Sequence, residues 1–509
     1  MKKIALLIVT LIFVELADAQ ITFQKVYGVL GGVGQSVKQT FDGGYIVTGY
    51  LTTNSGSFTD VCLIKTDMYG DTVWVKTFGG SDDDVGFTVQ QTTDSGYIVS
   101  GYTSSFGAGN RDIYLIKTDA NGNLLWSKTY GGAGMDNGYD VQQTFDGNFV
   151  ITGYYGYVYF LLKVNSIGNV VWEKTFTGGG GKSIKQTTDG GFIITGDYLG
   201  QIFLTKTDSG GNMIWTKSLG GANYDDRGNS VDQTTDGGYI IGGYSHYDFQ
   251  TSKYFTYLIK TNANGDTLWT KSFGDATIGI DDGRCYSIKQ TIDGGYVIAG
   301  QVIGQFLDDV YLLKIDSTGN VQWSKSIGGA IFETGYSVVQ TSDSGFIIAG
   351  STNSFASGNH LYLIKTDANG NSGCYDSSFT TIINLYSTSI SVPTSSIISP
   401  AFVVNSAPTV INAGSDVISV CLNTGINGLT TKNAITIFPN PSTGHFIIEL
   451  NYFKNYCTIE VYNVIGENIF SESIYNESKE INLKNISRGI YFVKVYDGEK
   501  IFTQKIIIQ

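Results

Sequence analysis

Carboxylates are the groups in this chain whose spacing is most regular. Asp84, Asp136, Asp226 and Glu333 each stand five positions ahead of a valine (Val89, Val141, Val231, Val338), and Asp282 stands six ahead of Ile288. Gathered around an axis, such side chains offer the hard oxygen ligands that Ca²⁺ takes. Taken singly, each caps a turn by accepting backbone N–H groups. The neighbouring pairs Asp225–Asp226 and Asp281–Asp282 could supply an acid and a base for polysaccharide cleavage, but hydrolysis needs two carboxyls facing each other across a cleft. Adjacency along the chain does not provide that, and no catalytic residue is assigned.

Other chemistry is thinner. The three histidines, His246, His360 and His445, are far apart and have no metal-ligand spacing. The five cysteines form no Cys-x-x-Cys pair, although Cys374 and Cys421 bracket one segment and could bridge in an oxidising compartment. Two groups of aromatics fall where loops are expected: Tyr154, Tyr155 and Tyr157, then Tyr247, Phe249 and Tyr254. Exposed rings stack on sugar faces or anchor a protein partner; the same rings can instead fill gaps between packed sheets.

The elements that must position these groups are short strands. Seven copies of Gln-Thr-x-Asp place their aspartates at Asp42, Asp94, Asp146, Asp189, Asp236, Asp293 and Asp343, a period of about 50 residues that holds four strands. One copy reads Val89-Gln90-Gln91, the turn Asp94-Ser95-Gly96, Tyr97 to Tyr102, a loop, Asp112 to Lys117, the turn Asp119 to Asn123, and Leu124 to Thr129. Asp-Gly and Asn-Gly turns suit hairpins because they tolerate positive φ. The middle strands are apolar on both faces, as strands packed between neighbouring sheets must be.

Outer-strand tryptophans recur at Trp74, Trp126, Trp172, Trp215, Trp269 and Trp323, while the seventh copy has Cys374 at that place. The missing strand lies at the other end, where Phe23 to Gly28 aligns with Trp126 to Gly131. The prediction is an all-β, seven-bladed β-propeller of four-stranded blades closed by the N-terminal strand, since closure removes exposed edges. Its variable loops share one face, which is where binding is expected.

Flanking segments complete the organisation. Lys2 and Lys3, the apolar run Ile4 to Val14 and Ala17-Asp18-Ala19 read as a secretory signal over 1–19. The propeller spans 20–373, a Ser/Thr-rich, β-rich connector 374–433, and a small β-sandwich 434–509. No other run is apolar enough to span a membrane as a helix. With 32 Lys and Arg against 45 Asp and Glu, the formal charge of −13 disfavours nucleic acid.

Asp42 to Tyr50, Leu63 to Asp67 and Gly70 to Trp74 resemble the bacterial β-propeller repeats of large extracellular proteins, a likeness that covers roughly 21–373 and implies architecture without a single activity. The tail, with Ile435 to Gly444, Val461 to Gly466, Leu483 to Val495 and Lys505 to Gln509, is similar to the type A C-terminal sorting domain of the type IX secretion system, departing from it at Asn463, where Asp is common. That resemblance implies a Bacteroidota-type bacterium, recognition by the type IX secretion machinery at the outer membrane, and proteolytic removal with release or attachment at the cell surface. The functional expectation is a non-enzymatic module binding an extracellular glycan or protein, with a polysaccharide-degrading enzyme or a structural part of a surface layer or gliding apparatus as alternatives. Ca²⁺ is the one cofactor the carboxylates bring into question.

Overall fold

The computed structural model describes residues 20–508 except 29–30, 53–57, 157, 221–224, 247–253, 275–282, 304–307, 379–381, 385–388, 392–396, 399–402, 407–409, 412–416, 424–434, 439–441, 451–456, 464–466, 476–477, 484–485 and 497–500. Two compact units divide at Thr424 and Gly425.

The first unit contains seven antiparallel sheets of related build. In the second of them, Asp84–Gln91 is innermost, followed outward by Tyr97–Thr103, Asp112–Thr118 and Leu124–Gly131. Tyr97–Thr103 and Asp112–Thr118 are buried at every position, which accounts for their unbroken apolar run. Trp74 meets Tyr97 of the following sheet edge-on with centroids 5.8 Å apart, and Trp126 meets Phe149, and Trp323 meets Phe346, in the same way.

In the seventh sheet the fourth strand is Thr22–Tyr27, which pairs antiparallel with His360–Thr366 in the register Phe23↔Lys365. Phe23 is fully buried and meets Tyr45 of the first sheet at 6.0 Å, the place a tryptophan holds elsewhere. Hydrogen bonds between sheets run all the way round. The Gln91 side-chain oxygen accepts from the Phe41 N–H, Gln143 from Thr93, Gln186 from Phe145, Gln233 from Thr188, Gln290 from Thr235, Gln340 from Ile292, and Gln39 from Ser342, at 2.8 to 2.9 Å. The last of these joins the seventh sheet to the first.

The recurring aspartates are turn formers. Asp94 accepts from the Thr92 hydroxyl and the Gly96 N–H, and it pairs with Lys117 at 3.0 Å. All seven copies have such a lysine: Lys65, Lys117, Lys163, Lys206, Lys260, Lys314 and Lys365. Each lysine lies nearly buried along its strand with the ammonium at the turn, an arrangement its long apolar stem permits.

Each sheet has five strands where the repeat predicts four. The fifth comes from the 374–433 segment, which visits the sheets in reverse order. Asp376–Ser378 pairs with Val321–Ile327, Ile382–Asn384 with Thr267–Gly274, Ser389–Ser391 with Met213–Gly220, and Ile397–Ile398 with Val170–Thr177. Val403–Ser406 then pairs with Leu124–Gly131, Val410–Ile411 with Thr72–Phe78, and Val417–Asn423 with the N-terminal Thr22–Tyr27. The segment read as a connector is a strip laid on seven outer edges, each of which would otherwise present unpaired N–H and C=O groups. Cys374 is disulfide-bonded, and Cys62, Cys285 and Cys457 are buried. The side chain of Cys421, its expected partner, lies outside the described residues, but the backbone of Cys421 pairs with Gln24, whose side-chain amide donates to the Cys374 carbonyl.

The second unit is two antiparallel sheets around one core. Ile435–Phe438, His445–Leu450 and Ser478–Asn482 form one, and Asn468–Ile474, Cys457–Asn463, Gly489–Tyr496 and Ile501–Ile508 the other. Phe446, Ile448, Ile459, Val461, Val493 and Ile506 are fully buried between them. Burial alternates along His445–Leu450 and Cys457–Asn463, as a sandwich with one wet face requires.

Candidate functional site

Every innermost strand carries a β-bulge at the same place, so one residue drops out of register. These residues are Gln35, Phe87, Tyr139, Lys182, Asn229, Tyr286 and Tyr336. A bulge re-aims the side chain it frees. Here the freed side chains of successive sheets meet: Phe87 and Tyr139 at 5.1 Å, Tyr286 and Tyr336 at 5.3 Å, and the Lys182 ammonium 3.7 Å from the Tyr139 ring centre. Around them the second strands place Tyr50, Tyr102, Tyr154, Asp197, Tyr244, Gln301 and Ser351 at one register level. The result is a funnel rimmed by tyrosine on the variable-loop face.

Over the third to fifth sheets the funnel deepens into a cleft of about 310 Å³, lined by Met135, Asn137, Tyr139, Tyr154, Gly179, Gly180, Lys182, Asp197, Tyr198, Leu199 and Arg227. Arg227 is oriented on two sides, by Asp225 (3.2 and 3.3 Å) and by Asp197 (3.2 Å). Burial raises the Asp197 pKa, against the pull of Arg227 and Lys182. The hairpin tip Leu199-Gly200 holds both residues at positive φ, 49° and 75°, and presents Leu199 83% exposed at the rim. A positive φ is costly for leucine, so the tight turn, closed by Tyr198↔Gln201, dictates that display. Three tyrosine rings beside oriented guanidinium, carboxylate, amide and ammonium groups match the make-up of a small-ligand site.

The expected aromatic contacts divide. Tyr154 lines the cleft. Tyr155, its neighbour on the strand, points the other way and packs on the core between the second and third sheets. Tyr254 stands edge-on to Tyr244 at 5.3 Å, with the Arg284 guanidinium 4.3 Å from its ring, beside the fifth and sixth sheets. Tyr157, Tyr247 and Phe249 lie outside the described residues. The bulge residues escaped the sequence reading because their types differ from copy to copy; their fixed place after Gly34, Gly86, Gly138, Gly181, Gly228, Cys285 and Gly335 was the available signal.

Of the expected metal carboxylates, Asp84, Asp136 and Glu333 each open an innermost strand. Among the described residues no three Asp, Glu, His or Cys side chains form a metal-binding group. Asp84 accepts from the Gly80 N–H and the Ser105 hydroxyl, Asp136 from the Gly132 N–H, and Glu333 from the Gly329 N–H and the Thr352 hydroxyl. Asp226 is buried at the matching place, and Asp282 lies outside the described residues. Three of these carboxyls instead meet a second one from the preceding sheet. Asp60 and Asp84 crowd Gly79, Asp112 and Asp136 crowd Gly131, and Asp309 and Glu333 crowd Gly328. Burial, with Asp84 beside it, pushes Asp60 up to about 6. Burial and Asp112 push Asp136 up to about 6, against the Gly132 N–H bond.

Residues 436–509 match the family model of the secretion system C-terminal sorting domain. The tail is a type IX sorting domain. The sorting domain directs export to the cell surface or the extracellular space. No helix among the described residues is long and apolar enough to cross a membrane. No curated protein matches the chain. Similar solved structures include Chaetomium thermophilum Sqt1, 8% identical with a TM-score of 0.41, covering 67% of this chain and 97% of that one. Another is PorZ of Porphyromonas gingivalis, described as an essential surface component of the type IX secretion system, 9% identical with a TM-score of 0.26, covering 96% and 100%. A third is the endo-1,5-alpha-L-arabinanase of Thermotoga petrophila, 11% identical with a TM-score of 0.27, covering 68% and 100%. These similarities assign no activity to this chain.

Proposed function

We propose that this exported propeller binds a saccharide in the funnel cleft without turning it over. The cleft carries the reading: Tyr139, Tyr154 and Tyr198 supply ring faces, while Arg227, Asp197, Asn137 and Lys182 supply donors and acceptors for hydroxyl groups. Its volume of about 310 Å³ suits one or two sugar rings. Asp60, Asp84, Asp112, Asp136, Asp226 and Glu333 are buried and Asp225 is engaged by Arg227, so these described carboxyls do not stand as an open pair across the cleft.

A glycan array of the mature protein, followed by calorimetry on the best ligand, tests this. Tyr154→Ala, Tyr198→Ala and Lys182→Ala are each expected to weaken binding about tenfold, the effect of roughly 1.4 kcal/mol, and recovered sugars are expected intact. Binding indifferent to all three substitutions would overturn the site. Shortened sugars would replace the module with a polysaccharide-degrading enzyme.

A further inference from the structure

Three residues beyond each bulge, the innermost strands present a second level of side chains toward the axis. At this level Gln90 and Gln142 accept from the backbone N–H of the next sheet's strand, at Gln143 (2.7 Å) and Gln186 (2.6 Å). Lys38, Lys185 and Lys289 hold the same register position in the first, fourth and sixth sheets. An ammonium has no lone pair with which to accept such a bond. Lys185 reaches Asp232 of the fifth sheet at 3.4 Å, and its side chain is 38% exposed, so solvent enters here. Lys38 and Lys289 make no hydrogen bond or ion pair with another described residue. Asp140, the other acid facing Lys38, is occupied by the Thr88 and Ser183 hydroxyls and the Ile184 N–H. Two carboxylates therefore face three ammonium groups: Asp232 feels the charges of both Lys289 and Lys185, Asp140 and Asp232 act on Lys38, and among the described residues only Lys185 is in direct contact with a carboxylate.

We infer that the axial channel holds a tetrahedral oxyanion, phosphate or sulfate, between Lys38, Lys289 and Lys185. Burial first, then the nearby Lys289, lowers Lys38 to about 8, so the ammonium that would meet the anion is incompletely protonated above that pH. The site lies deeper than the funnel cleft and does not rest on the saccharide reading.

Thermal unfolding of the mature protein at pH 7 in sodium phosphate, sodium sulfate and sodium chloride of equal ionic strength tests the inference. Phosphate or sulfate is expected to raise Tm saturably above chloride, with at least tenfold weaker binding in Lys38→Met and Lys289→Met, and retention in Lys38→Arg. In chloride, Lys38→Met is expected to be at least as stable as the parent, because it removes an unpaired cation. Equal curves in the three salts, or a phosphate response unchanged by both methionine substitutions, would overturn it. If neither variant folds, crystals of the parent soaked in selenate decide: an anomalous peak among the three lysines supports the site, and a peak elsewhere or none refutes it.

Discussion

At the scale of single residues, the acid groups of the propeller pull stability in opposite directions with pH. Asp60 and Asp136 have pKa values near 6, above the ordinary 3.8. The folded chain holds their protons more tightly than the unfolded one, so their contribution is full below about pH 3.8 and is lost as pH rises through about 6. Asp146, Asp189 and Asp236 behave oppositely. Burial raises them, but hydrogen bonds from threonine, lysine and backbone N–H prevail and hold them at about 2. Their contribution is present above about pH 3.8 and is lost as pH falls toward 2. Tm is therefore expected to peak at about pH 4 to 5 and to fall toward 7, and Asp60→Asn is expected to flatten the slope between 4 and 6; circular dichroism melts across pH 3 to 8 check both. Lys117→Met removes donors from the Thr118 carbonyl and Asp94. It is expected to cost about 1–3 kcal/mol, read as a midpoint shift in urea titration.

At the scale of elements, much of the fold was legible because the turns repeat. Gln-Thr-x-Asp fixes where a hairpin must fall, and the alignment of Phe23 with Trp126 locates the strand that completes the seventh sheet. Phe23→Ala is expected to cost about 3–5 kcal/mol, while Phe23→Trp is expected to fold, since six other sheets carry tryptophan there; denaturant melts distinguish them. The strip was not legible. Its strands of two to seven residues have no period of their own, and their register comes from the outer edges they lie on. The funnel was hidden for a related reason. A bulge keeps its backbone place while its side chain varies through Gln, Phe, Tyr, Lys and Asn, and loop aromatics such as Tyr155 drew attention to positions that the sheets use for packing.

At the scale of the whole molecule, the sorting domain and the propeller belong to separate units. Deleting 436–509 is expected to abolish export while leaving the propeller folded, because the division between units falls at Thr424. Quantitative proteomics of periplasm, cell surface and medium, together with a melt of the shortened protein, measures both parts. Ending the chain at 373 is expected to do more harm, since seven strand edges lose their cover; light scattering should report aggregation.

The order in which the strip visits the sheets has a mechanical consequence. It passes from the sixth sheet back to the first and finishes on the N-terminal strand, so it spans the boundaries between neighbouring sheets as a hoop spans the staves of a cask. A protease that nicks one exposed loop severs the polypeptide without freeing either piece, because the hoop still holds the staves together. Nicked protein should therefore elute from a sizing column as the intact particle and separate into fragments only in denaturant.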